Sequence, residues 1–240
     1  MGEPSIKAPA EMTPPASLEE VLSTLRHQLG NSVNALKVTL DVLQENFDHF
    51  DEEKRREYLR RALEILERQQ AMVEAMKAYS SINVKELSAI PFVPLWNDFL
   101  KMVSLRLEKE KVRLIHDADV EPCLIKGNPM AIHRAMTEIL DNALEALEGV
   151  SNPAIGLEVS KSRGGLMIIM RDNGCGIKKG ELAKIFVPLF TTKPKKRGIG
   201  LPVALKLLTQ MGGRLEIENL LSGGTQAMVW LRTVTGGEDE

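Results

Sequence analysis

Leu18, Leu22, Leu25, Leu29, Val33, Leu36, Leu40 and Leu43 follow one another at spacings of three or four residues. That is the signature of an α-helix with one apolar seam, close to a heptad repeat. It predicts a helix from Ser17 to about Phe47, with Ser17 as its cap and Glu20 completing a capping box. The turn formers of Asn46-Phe47-Asp48-His49-Phe50-Asp51 should end it. A second helix is expected from about Glu52 to Ser80, with a stripe of Leu59, Leu63, Leu66, Val73 and Met76 that Gln70 interrupts. Two such helices make a hairpin in which each has only one partner. A symmetric pair of hairpins buries both stripes in a four-helix bundle, so a homodimer through residues 17–80 is expected.

After Ile82 the texture changes. A short strand is expected over 83–88, a helix over 91–109 carrying Trp96, Phe99, Leu100 and Val103, and strands over 112–116 and 123–126. Asn128 can cap a helix reaching about Glu148, with Pro129 in its first turn. Segments 154–160 and 165–171 read as a hairpin across Lys161-Ser162-Arg163-Gly164. A helix over 202–211 should end at Gly212-Gly213, and a last strand pair should run over 214–218 and 225–233. This mixture predicts an α/β sandwich, with helices on one face of a mostly antiparallel sheet. The expected fold class is therefore α+β: an N-terminal helical hairpin forming a dimeric four-helix bundle, followed by an α/β sandwich. The boundaries are a flexible leader (1–16), the hairpin (17–81), the sandwich (82–234) and an acidic tail (235–240).

Charge and cysteine content exclude several function classes. The net charge of −2 makes no electrostatic case for nucleic acid. Cys123 and Cys175 lack CxxC spacing, which argues against a disulfide framework and a zinc site and fits a reducing cytosol. No apolar run approaches the roughly 20 residues that span a bilayer. The first residues lack the apolar core of a signal peptide. A cytoplasmic location and no membrane span in this chain are the expectation.

The chemistry concentrates between residues 138 and 201. A hydrophobic run ends in Asp172-Asn173-Gly174-Cys175-Gly176. A carboxylate at a strand end can accept from an exocyclic amine, which favours adenine over guanine. Gly174 and Gly176 remove side chains where base and sugar must approach the backbone. The same residues could be a plain Asp-Asn-Gly turn. Asn142 shares a helix face with Glu138. Its amide oxygen would be a hard ligand for Mg²⁺ beside phosphates, although a polar surface residue is the simpler alternative. Gly198 and Gly200 precede a helix and can expose backbone amides to phosphate.

These parts, in this order and with Ile185-Phe186-Val187-Pro188-Leu189-Phe190-Thr191-Thr192-Lys193 between them, resemble the ATP-binding domain of bacterial two-component sensor histidine kinases. That domain belongs to the wider group of gyrase, mismatch-repair and heat-shock chaperone ATPases. Residues 138–146 resemble the family's asparagine box, 172–176 its first glycine box, 186–193 its phenylalanine box and 198–201 its second glycine box. Pro202-Val203 replaces the usual Gly-Leu continuation. Gly223-Gly224-Thr225 resembles the last glycine turn. The resemblance implies ATP and Mg²⁺ as cofactors, with Asn142 on the metal. It implies nucleotide contacts from Asp172, Gly174, Gly176, Phe190, Thr192, Lys193, Gly198, Gly200, Leu201 and Thr225. The loop from Thr191 to Arg197 would be the ATP lid, with Lys193, Lys195, Lys196 and Arg197 neutralising phosphate.

The hairpin resembles the same family's dimerisation and phosphotransfer domain. Leu25-Arg26-His27-Gln28-Leu29-Gly30-Asn31 lies where its phosphoacceptor box belongs. His27 falls between seam positions and should face solvent. The resemblance implies catalytic roles for His27, Asn31 and Glu138, and a response regulator receiver domain as partner. Gln28 departs from the family, which has a carboxylate there that can take the imidazole proton; a glutamine cannot. Slowed autophosphorylation with retained phosphatase activity is the expectation, with Asn31 orienting water. Ser32 stands where the family often has proline. Two rivals stay open: a serine kinase of the same ATPase group, and a dimeric scaffold without catalysis.

Overall fold

The computed structural model describes residues 18–117, 121–193 and 196–234. The leader, the Ser17 cap, Lys195 and the acidic tail lie outside them. The described chain forms two compact units. One holds Asn83–Ala183 and the residues from Val203 onward; the other holds the residues up to Ile82 together with Lys184–Pro202.

In the second unit, α1 (Leu18–Glu45) and α2 (Glu52–Ser80) form the expected hairpin. Asp51 caps α2, its side chain accepting from the Lys54 amide at 2.8 Å. Phe50 stacks on Tyr58 at 5.3 Å between centroids, and Arg55 lies over Phe47 at 4.5 Å, which fastens the turn to α2. Burial between the two helices is thin: Thr39, Leu43, Ala62 and Ala75 are buried. Much of the remaining described seam is exposed, Val33 by 56% and Leu63 by 59%.

The first unit is a seven-stranded sheet, β1 (Ser88–Pro91), β2 (Arg113–His116), β3 (Leu124–Gly127), β4 (Ala154–Ser162), β5 (Gly165–Asp172), β6 (Arg214–Asn219) and β7 (Thr225–Val234). The order is β1-β3-β7-β5-β4-β2, and β6 pairs with β7 beside the short β3 contact. All pairings are antiparallel except β2 with β4. Period-2 alternation turns Leu166, Ile168 and Met170 of β5, and Ala227, Val229 and Leu231 of β7, into the core. The covering helices are α3 (Phe92–Glu110), α4 (Pro129–Ala146) and α5 (Gly200–Gln210). α3 buries Phe92, Trp96, Phe99, Val103 and Leu107, one residue per turn. α4 opens on Asn128, whose side chain accepts from the Ala131 amide at 3.1 Å, with Pro129 following as expected.

One expectation fails. The strand expected over 83–88 does not form over 83–87; β1 begins only at Ser88, which pairs with Gly127. The Val84 amide donates to the Gln210 side chain at 2.8 Å instead of to a ladder, and Glu86 takes a left-handed φ of 57°. Those two features divert the chain before it can pair.

Candidate functional site

Asp172 is the end of the inward-facing set of β5, so the alternation that buries Leu166, Ile168 and Met170 also buries a carboxylate, 4% exposed. A buried charge needs donors. Gly174 N donates to Asp172 Oδ1 at 2.8 Å and Thr225 N at 3.3 Å, while the Thr225 hydroxyl donates to Oδ2. The strand end, the glycine box and the start of β7 are thereby drawn to one carboxylate.

The glycines are sterically required. A Cβ on Gly174 would lie 2.7 Å from both Ala146 Cβ and Asp172 Oδ1. The glycine box therefore packs against the end of α4, one turn beyond Asn142, and Cys175 N donates to Ala146 O at 3.1 Å. Gly176 has a φ of +70° beside Asn219. Gly224, with a φ of +85°, sits against the Asp172–Asn173 backbone.

On α4 the Asn142 amide donates to Glu138 O at 2.8 Å. That orients the side chain and leaves its oxygen as an acceptor. The Glu138 carboxyl is half-buried; burial raises its pKa, and Arg134 opposes the shift. No cluster of three or more His, Cys, Asp or Glu suited to a metal occurs among the described residues. One amide oxygen beside phosphates still fits Mg²⁺, which is commonly held by few protein ligands, substrate phosphates and water.

In the other unit His27 is exposed, as its place off the seam requires. Its Nδ1 lies 3.3 Å from the Asn31 amide, one turn along α1. Gln28 Nε2 donates to Leu189 O at 2.8 Å. Leu189 is buried with a φ of +70°, an uncommon conformation for leucine. Its amide donates to Gly198 O at 2.8 Å, so both of its backbone polar groups are engaged. Gly198 has a φ of +65°, and a Cβ there would fall 2.7 Å from the Phe190 carbonyl carbon. Phe190 and Gly198 are therefore neighbours across the loop. Within it the Lys193 amide donates to Thr191 Oγ1 at 3.1 Å, and Lys196 N to Lys193 O at 3.2 Å. Thr192 is exposed, Gly200 opens α5, and Leu201 is half-buried.

Two contributors escaped the sequence reading. Asn219 clamps the loop after the glycine box, its Oδ1 accepting from Ile177 N at 2.8 Å and its Nδ2 donating to Ile177 O at 2.6 Å. Asn173 accepts from Ala154 N at 2.7 Å, which ties the box to the start of β4. Each looks in sequence like an ordinary turn residue, and its partner is 42 or 19 residues away.

Residues 127–235 match the family of histidine kinase-, DNA gyrase B- and HSP90-like ATPases, and residues 17–84 match the His Kinase A phospho-acceptor domain. The chain is 29% identical over 223 residues to the C4-dicarboxylate transport sensor protein DctB of Pseudomonas aeruginosa, covering 92% of this chain and 36% of DctB. Its fold is similar to histidine kinase ThkA, whose structure is a complex with the response regulator protein TrrA (TM-score 0.61, 20% identity, 90% of this chain and 62% of that one). It is also similar to full-length ShkA, solved in complex with AMPPNP (TM-score 0.58, 19% identity, 92% of this chain and 47% of that one). No helix among the described residues is long and apolar enough to cross a membrane.

Proposed function

The chain belongs to the two-component histidine kinases, and on that premise we propose that it binds Mg·ATP, phosphorylates His27 and passes the phosphoryl group to an aspartate of a response regulator receiver domain. The observation that carries the proposal is His27 itself, an exposed imidazole within the phospho-acceptor match, with an amide one turn away at its Nδ1. In the structure Asn31 Nδ2 faces Nδ1, which accepts from it; when that contact opens, Nδ1 takes the ring proton and the Nε2 lone pair is free. Nε2 attacks the γ-phosphorus, the bond to the bridging oxygen breaks, and ADP leaves with that electron pair. The Nδ1 proton passes to water, because neither Asn31 nor Gln28 is a base at neutral pH.

Asp172 reads the adenine amine, the outer lone pairs of its carboxylate accepting from it, while Thr225 and Gly174 hold the carboxylate still. Gly176 leaves room for the base. Asn142 holds Mg²⁺, which neutralises phosphate charge, and Glu138 orients Asn142. Gly198, Gly200 and Leu201 face the phosphates, with Phe190, Thr192 and Lys193 in the closing loop. Phosphoryl transfer asks mainly for positioning and charge neutralisation. The AMPPNP held by ShkA and the regulator held by ThkA support nucleotide and receiver as ligands here. Residues 17–81 form the phosphotransfer module and residues 82–234 the ATP-binding module, placed in the cytoplasm.

A homodimer completes the hairpin. The groove between α1 and α2, about 530 Å³ in volume, is lined by Ala35, Val38, Val42 and Ile65 together with the charged Arg61, Glu64 and Arg68, and it takes side chains of a helix of the second copy. The stripe that is open in one protomer is buried in the pair. Asn31 also suits a phosphatase role toward the regulator, by orienting water.

The test is incubation of the purified protein with γ-labelled Mg·ATP beside His27→Ala. Acid-labile label that the substitution abolishes is the expected result. Label that survives acid would instead identify a serine kinase, and absence of Mg-dependent nucleotide binding would identify a scaffold.

A further inference from the structure

The sheet face turned away from the core carries two unlike zones. The strand register sets Met167 beside Trp230 and Trp230 beside Arg214 in one row across β5, β7 and β6. The next row is Ile169, Met228 and Glu216, and the one after it Arg171, Gln226 and Glu218. The Arg171 row satisfies itself. Arg171 donates to Glu158 at 2.7 Å and to Gln226 at 2.5 Å, and Gln226 donates to Glu218 at 3.0 Å.

The Trp230 row does not. Arg214 lies 5.1 Å from the Trp230 ring centroid, and Arg163 and Arg232 stand beside it around a cavity of about 430 Å³. None of the three has a carboxylate within ion-pair distance among the described residues. Three guanidinium charges against the one carboxylate of Glu216 leave the rim positive, over a floor of Met167, Met228 and Trp230. A Cβ on Gly165 would lie 2.6 Å from Trp230 Cε2, so the strand gives up a side chain to seat the indole. Trp and Arg dominate binding hot spots, and aromatic residues, Met and Arg are enriched at interface cores.

We propose that this end of the open face docks an acidic segment of a partner protein. The segment sets an apolar side chain between Met167, Met228 and Trp230 and its carboxylates on Arg163, Arg214 and Arg232. Charge complementarity selects the partner's sign. The thioether floor adapts to the inserted side chain. The chain's net charge of −2 disfavours nucleic acid as the occupant.

The chain has two tryptophans, so Trp96→Phe leaves Trp230 as the only indole. Trp96 Nε1 is buried without a hydrogen-bond partner, so the exchange removes no bond. The full chain with that substitution is titrated with the blocked peptide Asp-Glu-Phe-Glu-Asp, with Lys-Lys-Phe-Lys-Lys, and with a short oligothymidylate, reading Trp230 emission. A saturable shift with the acidic peptide alone is expected, weakened at least about tenfold by Arg214→Glu with Arg232→Glu. If that variant misfolds, Arg214→Gln with Arg232→Gln should give a smaller weakening with unchanged circular dichroism. The proposal is overturned by no saturable response up to about 1 mM peptide, where binding is worth only about 4 kcal/mol. It is overturned equally by a response to the basic peptide or the oligonucleotide as strong as to the acidic one, or by one that the arginine substitutions leave unchanged.

Discussion

Gly223 and Gly224 are neighbours with similar backbone angles, φ of +92° and +85°, and they should respond very differently to alanine. A Cβ on Gly223 meets nothing within 4 Å. Gly223→Ala therefore adds only left-handed strain, about 1–2 kcal/mol. A Cβ on Gly224 would fall inside the van der Waals shell of the Asp172 carbonyl oxygen and 2.8 Å from its carbonyl carbon. Backbone cannot swing aside as a side chain can, so the turn must lift away from Asp172. Thr225 moves with it, and its amide and hydroxyl bonds to the Asp172 carboxylate are lost. Hydrogen bonds to a charged group are worth about 1.5–3 kcal/mol each. With the strain included, the loss is about 4–8 kcal/mol, comparable to the whole stability of a typical domain. Urea unfolding followed by tryptophan emission reports on this unit, because Trp96 and Trp230 both lie in it. Binding of a fluorescent ATP analogue reports on the site. Gly223→Ala should lower the unfolding midpoint slightly and bind nucleotide normally, and Gly224→Ala should fail on both counts. Equal midpoints for the two variants would refute the close-approach argument and leave φ as the only cost.

Gln28→Glu places a carboxylate beside His27 and removes the donor to Leu189 O; autophosphorylation should rise severalfold, and an unchanged rate of label incorporation would remove the base argument. Gly30→Ala should stabilise α1 by about 1 kcal/mol, since a Cβ there meets nothing within 4 Å, and a thermal melt of the helical signal would register it as a higher midpoint. Leu63→Glu puts a charge on a stripe residue that is 59% exposed; it should leave the helical content intact and abolish the proposed dimer in sedimentation. Burial raises the Glu138 pKa in the folded state, so the folded form binds the proton more tightly than the unfolded chain. The carboxyl's contribution to stability is full below its unfolded pKa and is lost as pH rises through the raised folded value. Glu138→Gln should therefore be matched to the parent at low pH and gain on it as pH rises through that window, read from denaturant midpoints across a pH series.

Local pattern alone determined a good deal here. The spacing of Leu25, Leu29, Val33 and Leu36 names a helix because 3.6 residues per turn leaves only one face for them. Asn128-Pro129 marks a helix start through the chemistry of two adjacent residues, and β5 and β7 announce their buried faces by strict alternation. Asp172, Gly174 and Gly176 stood out because strand, carboxylate and glycines adjoin in the chain. What tertiary structure alone decided involves partners far apart in sequence. Residues 83–87 have strand-like composition, but Gln210 takes an amide that a ladder would have used. Thr225 becomes the Asp172 donor only because β5 and β7 pair, bringing together residues 53 apart in sequence. Asn219 and Asn173 could have been any turn residues until their strands were placed. Gln28 reads in the sequence as a missing base, and only the folded chain gives its amide a partner, 161 residues away at Leu189. The physical reason is the same in each case: helical and strand periods are set by covalent geometry over a few residues, whereas a hydrogen-bond partner is set by which segments the core brings together.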